Sequence, residues 1–514
     1  LKKAVQSEPL PPQVEPISSV AAMAAPLERT LSRALSDVGS PGADALAGAA
    51  PLDAETPTAL SAPLLKVAAA ERPKPESCER CSGEEGVGCH DRQHAFAKLA
   101  LPVFLPQIFV YSVSMLVTPV LPHYVMKELG QTEWEVGVAA ACVSVAPALL
   151  DMPGNLLADW LGANMLGVVG GVCLVLCGLV AVAGDASRSI SLFLLARLLN
   201  GMGQSSSQMS KVLLVAQGPA DLRGKAFSTI GGLQRFGSLV GPFLGGQLAA
   251  SLSMRGVFLA QSACGVVALG LALFPVLCPD STLLPHFLRS SGQADGGQGG
   301  SKGAGGGASV ASMLRCAARN WRDLATAGLA LLVLCLLRQA KDLLVVLKVD
   351  ALEGGPRTAG VVVALTYAVD FSFFPVSALL MTRWGRKWSM GIALTLMGTA
   401  CALLATPLAS SLSAVTAVAC LAGAGNGVSS GLAMCYGSDM ATRRVQEGRA
   451  RSNAEYMGPW RQLLDVGSLV GPLLVGTAAA AVSLPTAAGT CAAVAFAATA
   501  FAVVKVEETA TLPR

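Results

Sequence analysis

From Leu99 onward the chain repeats one pattern, an apolar run of about 20 residues followed by a short polar connection. At about 1.5 Å of rise per residue, such a run crosses the roughly 30 Å of hydrocarbon in a bilayer. The pattern predicts helices near 99–126, 133–155, 165–184, 188–213, 226–250 and 254–278. A second set lies near 324–347, 357–381, 388–408, 411–437, 457–481 and 485–506. Between the sets, residues 281–322 are polar and carry the glycine-rich tract 296–307, which predicts a flexible linker. Residues 1–95, rich in Ala, Pro, Ser and Glu, hold no run long enough to span and predict a disordered tail. The expected domains are this tail, a helical bundle at 96–280, the linker, a second bundle at 323–507 and a short tail at 508–514. The fold class so predicted is an all-α membrane protein with twelve transmembrane helices.

Composition agrees with lipid as the solvent. Hydrophobic residues make up 53% and charged residues only 14%, with a mean hydropathy of +0.56, whereas soluble domains carry about 25% charged residues. An aromatic share of 5% argues against a β-barrel with its aromatic girdles. The small net charge of +4 gives no reason to expect a nucleic-acid partner. Cysteines such as Cys142, Cys173, Cys177, Cys264 and Cys491 sit singly in apolar runs and read as small hydrophobes rather than a disulfide framework. In the tail, Cys78-x-x-Cys81 is followed by Cys89-His90. The adjacent second pair fits a tetrahedral zinc site poorly, so no metal is expected. Tail acids including Glu8, Glu15 and Asp37 argue against an organelle transit peptide, and a start at Leu1 leaves a preceding segment open. No phosphate-binding loop ends in Gly-Lys-Ser/Thr, and four histidines scattered over tail, linker and one helix end make no catalytic constellation. Neither an enzyme nor a cofactor is predicted. Lys and Arg concentrate in the even-numbered loops, Arg223, Lys225, Arg383, Lys387, Arg443 and Arg449 among them, which predicts both termini on the cytoplasmic side.

The chain also repeats itself. Gly237-Ser-Leu-Val-Gly-Pro-Phe-Leu244 returns as Gly467-Ser-Leu-Val-Gly-Pro-Leu-Leu474, an offset of about 230. Leu199-Asn-Gly-Met-Gly203 is echoed by Gly425-Asn-Gly-Val-Ser429, and Leu156-Leu-Ala-Asp-Trp-Leu-Gly162 by Leu379-Leu-Met-Thr-Arg-Trp-Gly385, at an offset near 223. Three collinear echoes point to duplication, hence to two pseudo-symmetric six-helix bundles.

These motifs resemble those of the major facilitator superfamily, over roughly residues 96–507. After the second helix, Leu157, Ala158, Asp159 and Gly162 match the family's loop signature, and Arg383, Gly385, Arg386 and Lys387 match its basic part in the second half. Each half thus keeps a complementary piece of that gating signature. Arg197-x-x-x-Gly201-x-Gly203 is similar to the family's fourth-helix element. Gly237, Gly241, Pro242, Gly245 and Gly246 match its antiporter-associated fifth-helix pattern, with Gly467, Gly471 and Pro472 as the second copy. The resemblance implies a secondary transporter of a small solute by alternating access, similar to proton-coupled multidrug and organic-solute members. Its partners would be the bilayer, a small-molecule substrate and protons; it would be monomeric and sit in a plasma or organelle membrane. The runner-up is a transporter-like sensor or scaffold that binds a solute without net flux.

Physically, glycines four apart leave a smooth strip for close helix approach, and the prolines remove a backbone hydrogen bond and permit a bend. This reads either as a hinge or as static packing. Ionisable residues inside the spans are costly and usually functional. Arg197 and Arg235 lie roughly 13 Å from their predicted helix ends, and Asp370 is similarly deep. The resemblance places Asp151, Arg235, Asp370, Arg461 and Asp465 on the boundary between halves. They read either as proton or substrate carriers (Asp370 and Asp465) with arginine partners (Arg235 and Arg461), or as a fixed salt-bridge network. Arg461 and Asp465, four apart, could also pair within one helix. Arg338, Lys341 and Asp342 read as an anion-greeting cluster in the outer half of helix seven or as interface-level snorkelling side chains.

Overall fold

The computed structural model describes residues 96–217, 220–285, 288 and 310–509, with the backbone alone at 150–160, 220, 221 and 224. The tail 1–95 with Cys78, Cys81, Cys89 and His90, and the tract 296–307, lie outside the described residues. So do the side chains of Asp151, Leu157 and Asp159.

Among the described residues every regular element is helical. The first is α1 (Leu105–Leu116), flanked by π-helical Ala100–Phe104 and His123–Glu128 and by the 3-10 turn Thr118–Val120. Then come α2 (Glu133–Leu161), α3 (Ala163–Ser187), α4 (Ile190–Ala216) and α5 (Ala220–Leu277), the last broken at Ser253. A short helix α6 (Val310–Arg319) leads to α7 (Leu329–Ala351), α8 (Gly355–Arg383) and α9 (Arg386–Ala405). The chain ends with α10 (Leu412–Val428), α11 (Leu432–Gln446), α12 (Asn453–Ala481) and α13 (Leu484–Lys505).

Among the described residues, eight helical stretches are long and apolar enough to cross a membrane by length and composition, one of them running through α10 and α11. Helices α4 and α7 fall short because they carry polar cargo: Asn200, Gln204 and Gln208 on one, Arg338, Lys341 and Asp342 on the other. The usual arrangement is inverted. Leu179, Leu259, Val266 and Phe496 are exposed, whereas Arg197, Lys341, Asp342 and Asp370 are buried. That is the arrangement lipid imposes, because charges pay heavily for facing hydrocarbon and apolar side chains do not. The chain is an integral membrane protein.

Three details correct the sequence reading. The span expected at 411–437 is two helices: α10 ends at Val428, capped by Ser429, and Gly431 adopts φ +73 before α11 begins, a conformation open to glycine. The expected flexible linker 281–322 ends in helix α6, whose Met313 and Cys316 are buried, Met313 against Gly458 of α12. The interior of Val310-Ala-Ser-Met-Leu-Arg-Cys has apolar residues at helical spacing, so it docks instead of floating. The cluster Arg338, Lys341, Asp342 lies mid-helix in α7, with Lys341 and Asp342 2% and 8% exposed, so snorkelling does not describe it.

Packing follows the repeat. α1 packs on α5 and α7 on α12, with α2 on α12 and α5 on α8. Gly237, Gly241 and Gly245 seat against the α1 backbone at Ile108, Ser112 and Leu116. Gly467 and Gly471 seat against α7 at Leu332 and Leu336. A methyl at Gly246 would lie 2.8 Å from the Gly360 Cα, and one at Gly476 would lie 2.7 Å from the Gly137 Cα, so neither contact admits a side chain. Gly162 and Gly385 both turn the chain with positive φ, +80 and +90, directly before α3 and α9.

Candidate functional site

A cavity of about 280 Å³ opens among α1, α2, α4, α7 and α12. Its wall includes Tyr111, Arg197, Gln204, Asp342, Arg461 and Asp465. Arg197 gets there by close helix packing. Gly201, one turn along α4, sits against the Val143 backbone of α2, and Gly203 sits against Gly170 of α3. With α2 that near, the Arg197 Nε donates to the Ala139 carbonyl oxygen at 3.1 Å, and the side chain is 6% exposed. Beside it, hydroxyls of α1 meet amides of α4. Ser114 donates to Asn200 Oδ1 at 2.9 Å and Gln204 Oε1 at 3.3 Å, and Tyr111 donates to Gln208 Oε1 at 3.1 Å. Asn200, Gln204 and Gln208 are four apart and so share one helical face. That spacing was the available signal for residues the sequence reading passed over.

The second feature is a charge network between α5 and α8. Arg235 Nε lies 3.3 Å from Asp370 Oδ1, and its guanidinium also bonds the Ser430 hydroxyl and stacks 5.0 Å over the Phe374 ring. Asn426 Nδ2 donates to the other Asp370 oxygen at 2.8 Å. The network gathers where α10 breaks. Arg338 Nη2 reaches both the Ser429 carbonyl and its hydroxyl at 2.7 Å. A helix C-terminus carries partial negative charge and unpaired carbonyls, so it attracts cations. Nearby, Lys341 Nζ holds Asp342 Oδ1 at 2.5 Å, and Tyr367 donates to Asp342 Oδ2 at 2.8 Å.

At one end of the molecule, Lys127 and His123, just beyond α1, approach Asp350 of α7 at 3.0 and 3.4 Å. Burial, then Asp185, raises the neighbouring Glu128 carboxyl above its ordinary value. At the start of α9, Glu508 accepts from the backbone of Arg386 at 2.9 Å and Lys387 at 3.0 Å, capping that helix, and Arg386 pairs with Asp439. Arg383 is exposed. Arg444 holds Asp323 at 2.6 Å and Glu447 at 2.5 Å. Its hydrogen bond keeps the Glu447 carboxyl below the usual range. Of the residues singled out in the sequence, Arg197, Arg461 and Asp465 meet at the cavity, and Arg235 and Asp370 meet at the α5–α8 network. Among the described residues there is no group of three or more His, Cys, Asp and Glu able to hold a metal.

Residues 103–340 match the family model of the Major Facilitator Superfamily. The quinolone resistance protein NorA of Staphylococcus aureus is 27% identical over 173 residues, which cover 34% of this chain and 43% of that protein. A multi-drug resistance efflux pump PmrA homolog of Lactococcus lactis is 31% identical over 170 residues, 32% of this chain and 41% of that protein. The chain thus spans less than half the length of these curated relatives. Among solved structures, the nucleoside transporter NupG aligns with a TM-score of 0.58 at 16% identity, covering 79% of this chain and 98% of that one. A POT family transporter in complex with a thioalcohol-conjugated peptide aligns with a TM-score of 0.56 at 11% identity, covering 80% and 96%. At such identities the likeness is one of fold.

Proposed function

We propose that this chain, whose residues 103–340 match the Major Facilitator Superfamily model, is a secondary active transporter exchanging a small solute for protons by alternating access. The frame is twelve membrane helices in two pseudo-symmetric six-helix bundles: α1 to α4 with the two arms of α5, then α7 to α13 with α10 and α11 as one broken span. The names of the curated relatives, a resistance protein and an efflux pump, favour export. The termini face the cytoplasm, as the loop charges suggest.

One observation carries the coupling assignment: Asp370 of α8 is 2% exposed and pairs with Arg235 of α5, across the two repeated segments. Protonation of Asp370 removes the charge that holds Arg235, which among the described residues then keeps Ser430 and the Phe374 ring. Breaking one partner of a buried pair is costly, so the proton state biases whether α5 and α8 stay together. The glycine contacts Gly246–Gly360 and Gly476–Gly137 act as pivots, and Pro242 and Pro472 permit the bend. Arg461 and Asp465 on the cavity wall form a second coupling pair, and Arg197 positions solute. Arg383 and Arg386 belong to the gating loop.

The test is flux into vesicles containing the purified full chain, with and without a pH gradient, for wild type and Asp370→Asn. The expected result is loss of gradient-driven uptake with solute exchange at equal pH retained. Unchanged pH dependence removes Asp370 from coupling. Solute binding without any flux replaces the transporter with a sensor.

A further inference from the structure

Resting on the transporter reading, we infer that the cavity takes a small hydrophilic solute through an oxyanion, a carboxylate or a phosphate, seated on Arg197. The solute is not a lipophilic cation.

Arg197 is a buried cation whose guanidinium is only partly committed. Its Nε is spent on Ala139, Nη1 has no hydrogen-bond partner among the described residues, and no carboxylate there lies within ion-pair distance. A buried charge without its counterion is unfavourable in the free protein, and an arriving oxyanion relieves it with charge-assisted, often bidentate bonds.

The neighbouring wall has the same polarity. Because Tyr111 and Ser114 occupy the side-chain oxygens of Gln208 and Gln204, those amides keep their NH2 groups as donors beside Arg197. The acids are placed otherwise. Asp342 is held by Lys341 and Tyr367, and Asp465 shares its helix with Arg461, one turn away. A lipophilic cation calls for aromatic faces and apolar lining. Here Tyr111 is the one aromatic side chain among the described lining residues. At about 280 Å³ the space also sits at the small end for organic ligands.

The test uses the purified full chain in detergent. Binding is read by thermal shift with three probes: succinate for a carboxylate, glycerol 3-phosphate for a phosphate, and tetraphenylphosphonium for a lipophilic cation. One or both anions should stabilise wild type, and which of them does so identifies the oxyanion. Arg197→Gln should weaken that binding about tenfold to a hundredfold, with Arg197→Lys in between. Phenylglyoxal modification of Arg197, followed by mass spectrometry on the wild-type chain, reads the same site without a variant; the bound anion should slow it. Stabilisation by tetraphenylphosphonium alone, by none of the probes, or by an anion equally in Arg197→Gln overturns the inference. The two readings fail separately. Anion binding without anion flux in vesicles sinks transport and leaves the ligand class standing, whereas flux of tetraphenylphosphonium alone does the reverse.

Discussion

At the α5–α8 contact Gly246 faces Gly360, and at the α12–α2 contact Gly476 faces Gly137. These are the same positions at the offsets of about 230 and 223 read from the repeated motifs. A few turns inward the two contacts part company. The first carries the Arg235–Asp370 pair. At the second, the counterparts at those offsets are Asp465 and Pro147, both on the cavity wall, while Gln462 bonds the Ala148 carbonyl at 3.0 Å. The difference separates two kinds of constraint. Where backbones touch, only glycine fits, so both copies keep it. Where side chains meet, chemistry is free to diverge, and a symmetric frame comes to hold an asymmetric charge distribution.

Breaking the charged contact should have the largest effect. Asp370→Ala strands Arg235 and Asn426 and should cost about 3–5 kcal/mol of stability in detergent unfolding. A loss below about 1 kcal/mol would mean that the Arg235–Asp370 contact is no more demanding than the α12–α2 contact, where Gln462 bonds the Ala148 carbonyl. Next come the glycines. Gly246→Leu and Gly476→Leu should each destabilise by about 1–3 kcal/mol or more, and by similar amounts, because each drives a side chain into a facing helix. Tolerance at one position with collapse at the other would break the equivalence of the two contacts.

A smaller effect is expected at Lys127 and Asp350, which are each other's counterparts at the 223 offset and pair across the repeat. With Lys127 48% exposed, Lys127→Ala should cost under about 1 kcal/mol, as a double-mutant cycle with Asp350→Ala would read. The smallest lies outside the duplicated contacts, at Glu447. Its folded-state pKa is lowered, first by the Arg444 hydrogen bond, so its contribution is present above the unfolded glutamate value of about 4.3 and is lost as pH falls through the lowered one. The melting-temperature gap between wild type and Glu447→Gln should hold at neutral pH and close below about pH 4. A gap that widens on acidification reverses the sign.

The glycine contacts and spans were legible because they follow from local rules. An apolar run must be a helix in lipid, and a glycine strip marks a close approach. Arg235 and Asp370 were legible as costly deep charges, and their meeting was one possibility among several. Asn426 and Ser430 were not foreseen, although Gly425-Asn-Gly-Val-Ser429 carried the signal: a glycine-rich end to a helix leaves carbonyls and hydroxyls for a cation. Helix α6 was missed because the glycine tract before it dominated the reading of 281–322, hiding the apolar spacing at Val310, Met313 and Cys316.

The sequence by itself determined the solvent, the segments and the repeat, because hydrocarbon obliges each span to satisfy its own backbone bonds within about 20 residues. Only the tertiary structure decided that Arg235 meets Asp370, 135 positions away, and that Arg197 turns into the cavity with no carboxylate partner among the described residues. The reason is rotational: each residue along a helix turns the side chain by about 100°, so the face a charge presents depends on how neighbouring helices pack.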